Sequence, residues 1–564
     1  MDTKRGIFVW IVMLLSAVLM MFIPLADAQT SPRTTPHSTP LVNVEWLKMN
    51  ISRNDIVVID ASFQQLYAAK HIPGAISANV FALGSRDASP AAMEQLVRSW
   101  GVSADKTIVL YDEGATFMAT SLFFELYHHG FSIADVFILD GGLAKWEAAG
   151  GATSMAPTKM PAIGNIVHKG MRESARARLA EFVSASGANG TSVLVEGLDA
   201  EYYYGGAKFF DRPGHVPNAI MMPSNDFFNP DKTFKSNSDI RQMLNRLAIT
   251  SNRSVITYCG GGVAASLSFF AAKFLLGYPD VKLFKGSQRE WLRDDRGLPF
   301  WTYAQANRIR TAQWVNGWNS DMMRMMDSSR LNIIDVRPAD VRARGFIPHS
   351  LAIPAVQFKS HLASPQTLAD VIGQAGLVQA DEVVIVSDGG ITPDAALAML
   401  ALEKLGHAKV SILVGSFDDW ALAGLPTVNA LKRDGTTPAT PLPPVRVQRY
   451  VADAMHLRNA VLVAPDIAKT AKTPASPPRI ILVAGKLKSS SRPDGNVIEI
   501  PYTDLLDKQG NPKAANDIWN LLAKAGVSRY AEIICVADEL GEAAVSYVVL
   551  KLMGFPDVKV MRPA

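Results

Sequence analysis

Short apolar runs alternate with segments of helical periodicity along most of this chain. Residues 254–258 are mostly apolar and rich in β-branched side chains, which predicts a central strand of a parallel sheet. Residues 263–276 carry apolar side chains at helical spacing, and Gly277 predicts the end of that helix. Strands that alternate with helices in this way predict an α/β fold, in which each mainly parallel sheet has helices on both faces.

The alternation comes in four copies, which two sequence markers identify. The first marker is a strand that ends in an acidic residue and is followed by a turn that contains proline. The second is a helix that ends in glycine and leads, through another strand, into a Gly-x-x-x-x-Trp segment. The acidic residue is Asp60 in the first copy, Glu196 in the second and Asp335 in the third. The tryptophan segments of these copies lie at 141–146, 286–291 and 415–420. A fourth copy keeps the helix that ends at Gly554 and lacks the acidic marker.

We therefore predict four tandem units, numbered 1 to 4, at residues 41–155, 165–304, 308–430 and 446–564. The length agrees, because 564 residues exceed what one hydrophobic core supports and correspond to about three to five domains. Proline-rich stretches predict a stiff boundary at 437–444, before unit 4, and a second connection at 473–478, inside it.

The first 28 residues predict a secretory signal peptide. Lys4 and Arg5 precede an apolar run at 7–25, and residues 26–28 form a small-x-small cleavage pattern. We expect an exported, periplasmic protein, with an uncleaved amino-terminal anchor as the alternative. No later segment reaches spanning length, so we expect no membrane association after cleavage.

Composition narrows the classes of partner and cofactor. The 56 basic and 52 acidic residues give a net charge of +4 without a basic tract, so nucleic-acid binding is not expected. No group of histidines and cysteines has the spacing of a metal site, and neither a metal nor an organic cofactor is implied.

One of the two cysteines, Cys259, lies between the strand and the helix predicted at 254–276. The glycines at 260–262 allow successive backbone N–H groups to turn toward one anion, and the helix amino terminus adds partial positive charge. These effects predict a lowered pKa and a reactive thiolate. Cys535 lies within an apolar run and is expected in the core. We expect no structural disulfide, since a bridge would consume the activated thiol.

Together these features resemble the rhodanese family of sulfurtransferases, over nearly the whole chain after the signal peptide. Domains of that family run from an aspartate-bearing strand through a Gly-His-Ile-Pro-Gly-Ala turn to a six-residue cysteine loop and a closing Gly-x-x-x-x-Trp segment. The loop corresponds here to residues 259–264, Cys-Gly-Gly-Gly-Val-Ala. The resemblance implies that Cys259 takes sulfane sulfur from a small donor as a persulfide and hands it to a thiol, to cyanide or to a protein acceptor.

Backbone amides after the cysteine are expected to stabilise the thiolate and then the persulfide. The residues expected to bind substrate in this way are Gly260, Gly261, Gly262, Val263, Ala264 and Ala265. Thiosulfate-using members of the family usually carry a basic residue where this chain has Gly260. Arg212, in a neighbouring turn, is the candidate to supply that charge, and a solvated surface arginine is the alternative. His215, in the same turn, is expected to be structural.

Counting 18 residues back from the glycine that ends each helix compares the four units. This offset leads to Cys259 in unit 2, Asp112 in unit 1 and Asp388 in unit 3. In unit 4 it leads to Val536, and to Asp538 if the loop is two residues shorter, which we favour. A carboxylate at this position is expected to cap the helix and cannot carry sulfur, so the sequence predicts one active unit and three inactive ones.

Two other functions share part of this pattern. A phosphatase with a related cysteine loop needs an arginine six positions after Cys259, and that position is Ala265. A carrier or scaffold that binds persulfide sulfur or selenium without turnover, and docks a partner through its inactive units, is the alternative to a sulfurtransferase.

Overall fold

The computed structural model describes residues 39–78, 88–187, 190–326, 329–429, 446–453, 461–465, 478–488 and 495–562. The signal peptide predicted at 1–28 and the proline-rich stretches at 437–444 and 473–477 lie outside these ranges. Within them, no helix combines the length and the apolar character needed to span a bilayer.

Four parallel sheets form the framework, one in each predicted unit. Unit 1 contains β1 (Leu41–Val42), β2 (Ile56–Asp60), β3 (Ile76–Ser77), β4 (Thr107–Tyr111) and β5 (Val136–Leu139), and unit 2 contains β6 (Val193–Glu196), β7 (Ile220–Met221), β8 (Val255–Tyr258) and β9 (Val281–Leu283). Unit 3 contains β10 (Ile309–Arg310), β11 (Leu331–Asp335), β12 (Leu351–Ala352), β13 (Glu382–Val386) and β14 (Val410–Leu413), and unit 4 contains β15 (Leu462–Val463), β16 (Arg479–Val483), β17 (Val497–Glu499), β18 (Glu532–Val536) and β19 (Val558–Met561).

The four sheets share one strand order. In units 1, 3 and 4 the strands lie in the order first, fifth, fourth, second, third, and unit 2 keeps this order without the first strand. The described strand pairs are all parallel. The predicted α/β class with repeated parallel sheets is therefore confirmed.

Helices connect the strands and cover the sheets. Unit 1 contains α1 (Val44–Asn50), α2 (Gln64–Ala69), α3 (Pro90–Ser99), α4 (Met118–His128) and α5 (Gly142–Ala148). Unit 2 contains α6 (Leu179–Ser186), α7 (Ala200–Tyr203), α8 (Asn237–Arg246), α9 (Ala265–Phe270) and α10 (Ser287–Trp291). Helix α9 continues as a π-helical turn (Ala271–Leu275). Those of units 3 and 4 are α11 (Ala312–Asn319), α12 (Asp321–Met325), α13 (Ala339–Ala343), α14 (Ala355–His361), α15 (Pro365–Gln374), α16 (Pro393–Lys404), α17 (Phe417–Leu422), α18 (Ala515–Lys524) and α19 (Leu540–Leu552).

The tryptophan marker closes each unit in which it occurs. The indole N–H groups of Trp146, Trp291 and Trp420 donate to the carbonyls of Ala152, Pro299 and Pro426, at 2.8, 2.7 and 2.8 Å. A buried indole requires such an acceptor, and the bond ties the segment after the last helix to the core.

The units pack in pairs through the helices that follow their central strands. α4 of unit 1 lies against α9 of unit 2, with the rings of Phe123 and Phe270 5.1 Å apart and those of Phe124 and Phe269 4.9 Å apart. In the same way α16 of unit 3 packs against α19 of unit 4. These helices are buried on nearly all sides, as expected for helices whose sequences are apolar all round. The pairing brings the loops before α4 and α9 together.

Candidate active site

Cys259 directly follows strand β8, and the loop 259–264 leads into helix α9. The thiol is only 2% exposed, and the backbone N–H of Gly262 donates to its Sγ at 3.2 Å. Gly262 has a φ of +90°, and a Cβ there would lie 2.8 Å from the carbonyl oxygen of Lys285. Only glycine therefore allows the chain to turn its amide toward the sulfur at this point.

The segment at the start of α10 supports this loop from one side. The Ser287 hydroxyl accepts from the N–H of Cys259 at 3.1 Å, and the Cys259 carbonyl accepts from the N–H of Gln288 at 2.9 Å. The N–H of Arg289 donates to the Gly260 carbonyl, also at 2.9 Å. The polar backbone groups next to the thiol are thus bound to α10, which fixes the position of Sγ.

The electrostatics of Cys259 differ from the sequence-based prediction. Burial raises the pKa of the Cys259 thiol, and the backbone amides of Ala265, Gly262 and Gly261 offset this only in part. The predicted lowering of the pKa is therefore wrong in its net direction, because the strand end lies deep enough that desolvation outweighs the amides. The amides remain where a negative charge on sulfur needs them.

A buried carboxyl group, Glu196, lies at the end of the neighbouring strand β6. It is paired in register with Tyr258, and its Oε2 accepts from Nε2 of Gln288 at 3.2 Å. Burial raises the pKa of Glu196 to about 8, against the opposing hydrogen bonds from Tyr258 and Gln288. The group is thus largely protonated at neutral pH, and its charge, once formed, raises the pKa of Cys259.

Glu196→Gln is expected to allow the Cys259 thiolate to form at lower pH. The substitution removes a charge that opposes the thiolate, and we expect the apparent pKa of Cys259 to fall. The rate of iodoacetamide alkylation at Cys259, followed from neutral to strongly alkaline pH, measures this shift. Superimposable profiles for the wild type and the variant would show that Glu196 does not act on the thiol.

The same substitution tests the burial of Glu196. Because its folded-state pKa of about 8 lies above the ordinary value of 4.5, the contribution of Glu196 to stability is fully present below about pH 4.5 and is lost as the pH rises through 8. The slope is at most about 1.4 kcal/mol per pH unit. Chemical denaturation at several pH values should show this loss in the wild type and not in Glu196→Gln.

Cys259 faces a cavity of about 550 Å³ between units 1 and 2. Its lining is mainly apolar and includes the phenylalanines Phe63 and Phe117 of unit 1 and Phe209 and Phe210 of unit 2. The charged side chains that line it are Glu113, Asp199 and Arg289. The site is therefore shared between two units, although only one of them carries the thiol.

Large apolar side chains are exposed at this cavity. Phe63, Leu66 and Phe209 are 41%, 44% and 50% exposed. Exposed apolar side chains that gather at one concave site are typical of a binding surface. The ring of Phe209 lies over Gly260, since a Cβ at Gly260 would be 2.9 Å from it.

Arg212 does not lie in this cavity, which corrects its predicted role as an anchor for the donor. Its guanidinium donates to the carbonyl oxygens of Trp291 at 2.7 Å, Arg293 at 3.0 Å and Leu298, and it lies over the ring of Phe300. Carbonyls of the segment after α10 thus engage its N–H donors, and Arg212 holds that segment in place.

Two other residues of the region have clear positions. His215 is fully buried, its Nδ1 donates to the carbonyl of Tyr203 at 2.7 Å, and its ring stacks on that of Tyr203. Burial lowers the pKa of His215 to about 3, which agrees with the structural role predicted for it. Arg289 has an exposed side chain and is the basic residue in the described lining of the cavity.

Strand register identifies the residues equivalent to Cys259. The last residues of β4, β8, β13 and β18 pair in the same way with the ends of β2, β6, β11 and β16. The residues that follow these strands are Asp112, Cys259, Ser387 and Ala537. Cys259 is the only thiol among them.

Two of the equivalences predicted by counting are therefore wrong. In unit 3 the count reaches Asp388, one position after the equivalent residue Ser387, because α16 has 12 residues where α4 has 11. Asp388 is exposed, and Thr392 caps α16 by accepting from the N–H of Ala395 at 3.2 Å. In unit 4 the loop between β18 and α19 spans only 537–539, so neither Val536 nor Asp538 matches Cys259.

Asp112 does bind the loop amides of unit 1, as predicted. Its two carboxylate oxygens accept from the N–H groups of Gly114 and Ala119 at 2.9 and 3.1 Å. A carboxylate thus occupies the place that the thiol takes in unit 2.

Several site residues were missed by the sequence-based reasoning. Ser287, Gln288 and Arg289 lie inside the recurring Gly-x-x-x-x-Trp segment, and this recurrence was a signal that could have found them. Phe63 and Phe117 lie in the unit without the thiol, and no local pattern relates them to Cys259. In the described part of the chain, no group of three or more histidine, cysteine or acidic side chains is arranged to hold a metal ion.

Comparison with known proteins places this architecture among related chains. The family model for the rhodanese-like domain matches residues 43–149, 198–294 and 319–423, together more than half of the chain. The three matches fall within units 1, 2 and 3, and the sheet of unit 4 repeats their strand order.

Individual relatives match about half of the chain. The sulfur carrier protein TtuD of Thermus thermophilus is 29% identical over 278 residues, which cover 45% of this chain and 94% of TtuD. The thiosulfate sulfurtransferase of Corynebacterium glutamicum is 26% identical over 272 residues, 45% of this chain and 88% of that protein. The crystal structure of SseA from Escherichia coli, a 3-mercaptopyruvate sulfotransferase, matches with 25% identity and a TM-score of 0.40 over 44% of this chain and 98% of SseA.

Proposed function

Since this chain belongs to the rhodanese family, we propose that it is a sulfurtransferase that carries sulfane sulfur as a persulfide on Cys259. The observation that carries the proposal is the position of Cys259, which is the only thiol at four equivalent strand ends and faces a cavity between two units. The amide of Gly262 already points at its sulfur.

The transfer takes two displacement steps. The Cys259 thiolate attacks the outer sulfur of the donor, the Sγ–S bond forms, and the donor's remaining group leaves with the electron pair of the broken bond. An acceptor thiolate or cyanide then attacks the terminal sulfur, and Cys259 leaves as thiolate. The loop amides stabilise negative charge on Sγ in the first step and on the persulfide between the steps.

We propose an organic sulfur donor with an apolar body rather than thiosulfate. The cavity is lined mainly by phenylalanine and aliphatic side chains, and its two carboxyl groups, Glu113 and Asp199, oppose a small dianion. Burial raises the pKa of both groups from the ordinary value of a carboxyl group. Arg289 is the basic residue among the described lining residues and is exposed to solvent.

Gly260→Arg is expected to raise kcat/KM for thiosulfate about tenfold, or about 1.4 kcal/mol in the transition state. The new guanidinium would lie beside the thiol, where the donor's charge needs a partner. Steady-state thiocyanate formation measures this change. Gly260→Met is the matched control, because any side chain at this position must displace the Phe209 ring. An equal rise in both variants would attribute the effect to an opened cavity and not to charge.

The proposal is tested by mass spectrometry of the full chain after incubation with thiosulfate, methanethiosulfonate or benzenethiosulfonate. We expect the peptide that contains Cys259 to gain one sulfur atom, fastest with benzenethiosulfonate, and to lose it when cyanide is added. The two thiosulfonates carry the same charge and differ only in the apolar group. A Cys259 that remains unmodified with every donor, although alkylation shows a reactive thiol, would contradict sulfur transfer. A persulfide that is not turned over would favour the carrier function.

We also propose that the protein works after export, on the basis of the signal-peptide pattern at residues 1–28. Cell fractionation and amino-terminal sequencing of the mature protein test this location.

A further inference from the structure

A second cavity, of about 340 Å³, lies where unit 2 meets unit 4. Unit 2 contributes Tyr204, Arg246 and Trp301, and unit 4 contributes Arg529. The two units are tied together beside it, because the Tyr204 hydroxyl donates to the carbonyl of Met553 at 2.8 Å. This cavity is separate from the one at Cys259, and the two share none of their lining residues.

Arg529 is a buried cation without a counter-ion among the residues that the structure describes. It is 7% exposed, and its Nη1 has neither solvent contact nor a hydrogen-bond acceptor. Within the described ranges its side chain forms no ion pair, and its guanidinium carbon lies 5.8 Å from the ring centre of Tyr530. A guanidinium loses hydration when it is buried, and an anion beside it compensates for that loss.

The remaining lining of the cavity favours an anion as well. The lining contains a second arginine, Arg246, which interacts with Asp557 at 3.3 Å, and none of its described residues is acidic. The hydroxyl groups of Tyr203 and Tyr204 already donate to backbone carbonyls. The described lining of the cavity therefore carries net positive charge, and Arg529 lines it without a carboxylate beside its guanidinium.

Comparison among the units shows that this arginine is specific to unit 4. The register of β4, β8 and β13 places Ala104, Ser251 and Gln379 at the position of Arg529. The repeated fold thus does not require a cation here. A charge that the fold does not need, enclosed at a boundary between units, points to binding.

We propose that the cavity between units 2 and 4 binds a small oxyanion, either phosphate, sulfate or a compact carboxylate, through the guanidinium of Arg529. Arginine suits this task because its planar fork can donate two parallel hydrogen bonds to such a group. A volume of about 340 Å³ corresponds to roughly ten water molecules, which leaves room for an oxyanion with a small organic body.

Calorimetric titration of the full chain with phosphate, sulfate and benzoate tests the site, at ionic strength held constant with sodium chloride. We expect at least one of the three anions to bind at a single saturable site and to raise the unfolding temperature. Arg529→Gln introduces the residue that unit 3 has at the equivalent position, Gln379. This variant should bind the anion at least about tenfold more weakly. Arg178→Gln removes an exposed arginine that lines neither cavity; it is the matched control and should bind as the wild type does.

Two further variants separate this site from the active site and separate the charge of Arg529 from its geometry. Cys259→Ser should bind the anion normally, which separates this site from donor binding at the thiol. Arg529→Lys keeps the charge without the fork and serves if Arg529→Gln does not fold; it should bind with intermediate affinity. Absence of saturable binding in the wild type, or equal affinity in all Arg529 variants, would overturn the proposal. The inference is independent of sulfur transfer at Cys259.

Discussion

Cys259→Ser is expected to lower thiocyanate formation by at least about a thousandfold and to leave no sulfur on the loop peptide. A serine hydroxyl is neither acidic enough nor nucleophilic enough to attack sulfane sulfur, and it forms no counterpart of the persulfide intermediate. The smaller oxygen can still accept from the amide of Gly262, so the loop should keep its shape. Donor-dependent turnover and intact mass, measured on the same preparation, check the prediction.

Cys535→Ser supplies the matched control. Cys535 is fully buried in β18, and burial alone raises the pKa of its thiol. We expect this variant to lose some stability, because a buried hydroxyl replaces an apolar contact, and to retain sulfur transfer. Full activity in Cys259→Ser would show that Cys259 does not carry the sulfur. Loss of activity only in a folded Cys535→Ser variant would show that Cys535 carries it instead.

Lys285→Met is expected to destabilise the protein by about 3–5 kcal/mol, because it breaks an ion pair buried between units 1 and 2. Nζ of Lys285 lies 2.7 Å from Oε1 of Glu125, and the two side chains are 5% and 2% exposed. Burial raises the pKa of Glu125, and Lys285 opposes that rise, so the carboxyl group loses its main charge partner in the variant. Chemical denaturation measures the loss of stability.

The double variant Glu125→Gln with Lys285→Met separates the ion pair from simple packing. In the double variant neither charge of this pair is left buried without its partner, and we expect it to recover most of the lost stability. The sulfur-transfer rate should also fall in Lys285→Met and recover in the double variant, because the backbone of Lys285 lies against Gly262 of the cysteine loop. A double variant as unstable as Lys285→Met would mean that shape, and not charge, holds the two units together.

The repeated markers were readable in the sequence because each of them satisfies a local requirement. The strand patterns, the glycine that ends each helix and the buried tryptophan recur since every unit must build the same sheet and close it in the same way. Cys259 was found for the same reason, since the end of a central strand and a run of glycines are visible along the chain.

Counting along the chain failed where element lengths changed. One extra residue in α16 moved the match in unit 3 from Asp388 to Ser387, and a shorter loop removed it from Asp538 in unit 4. Strand register does not depend on helix length, and it gives the correct equivalence. Arg212 was misassigned because a sequence shows that an arginine is present and not which carbonyls surround it.

The sequence by itself determined the α/β units, their tandem order and the one thiol among four equivalent strand ends, because these follow from periodicity and from local backbone chemistry. Only the tertiary structure decided the environment of that thiol. The raised pKa of Cys259, the cavity shared with unit 1 and the unpaired Arg529 all depend on which distant surfaces meet. Burial and charge are properties of that assembly, since desolvation depends on everything packed around a group and not on its neighbours in the chain.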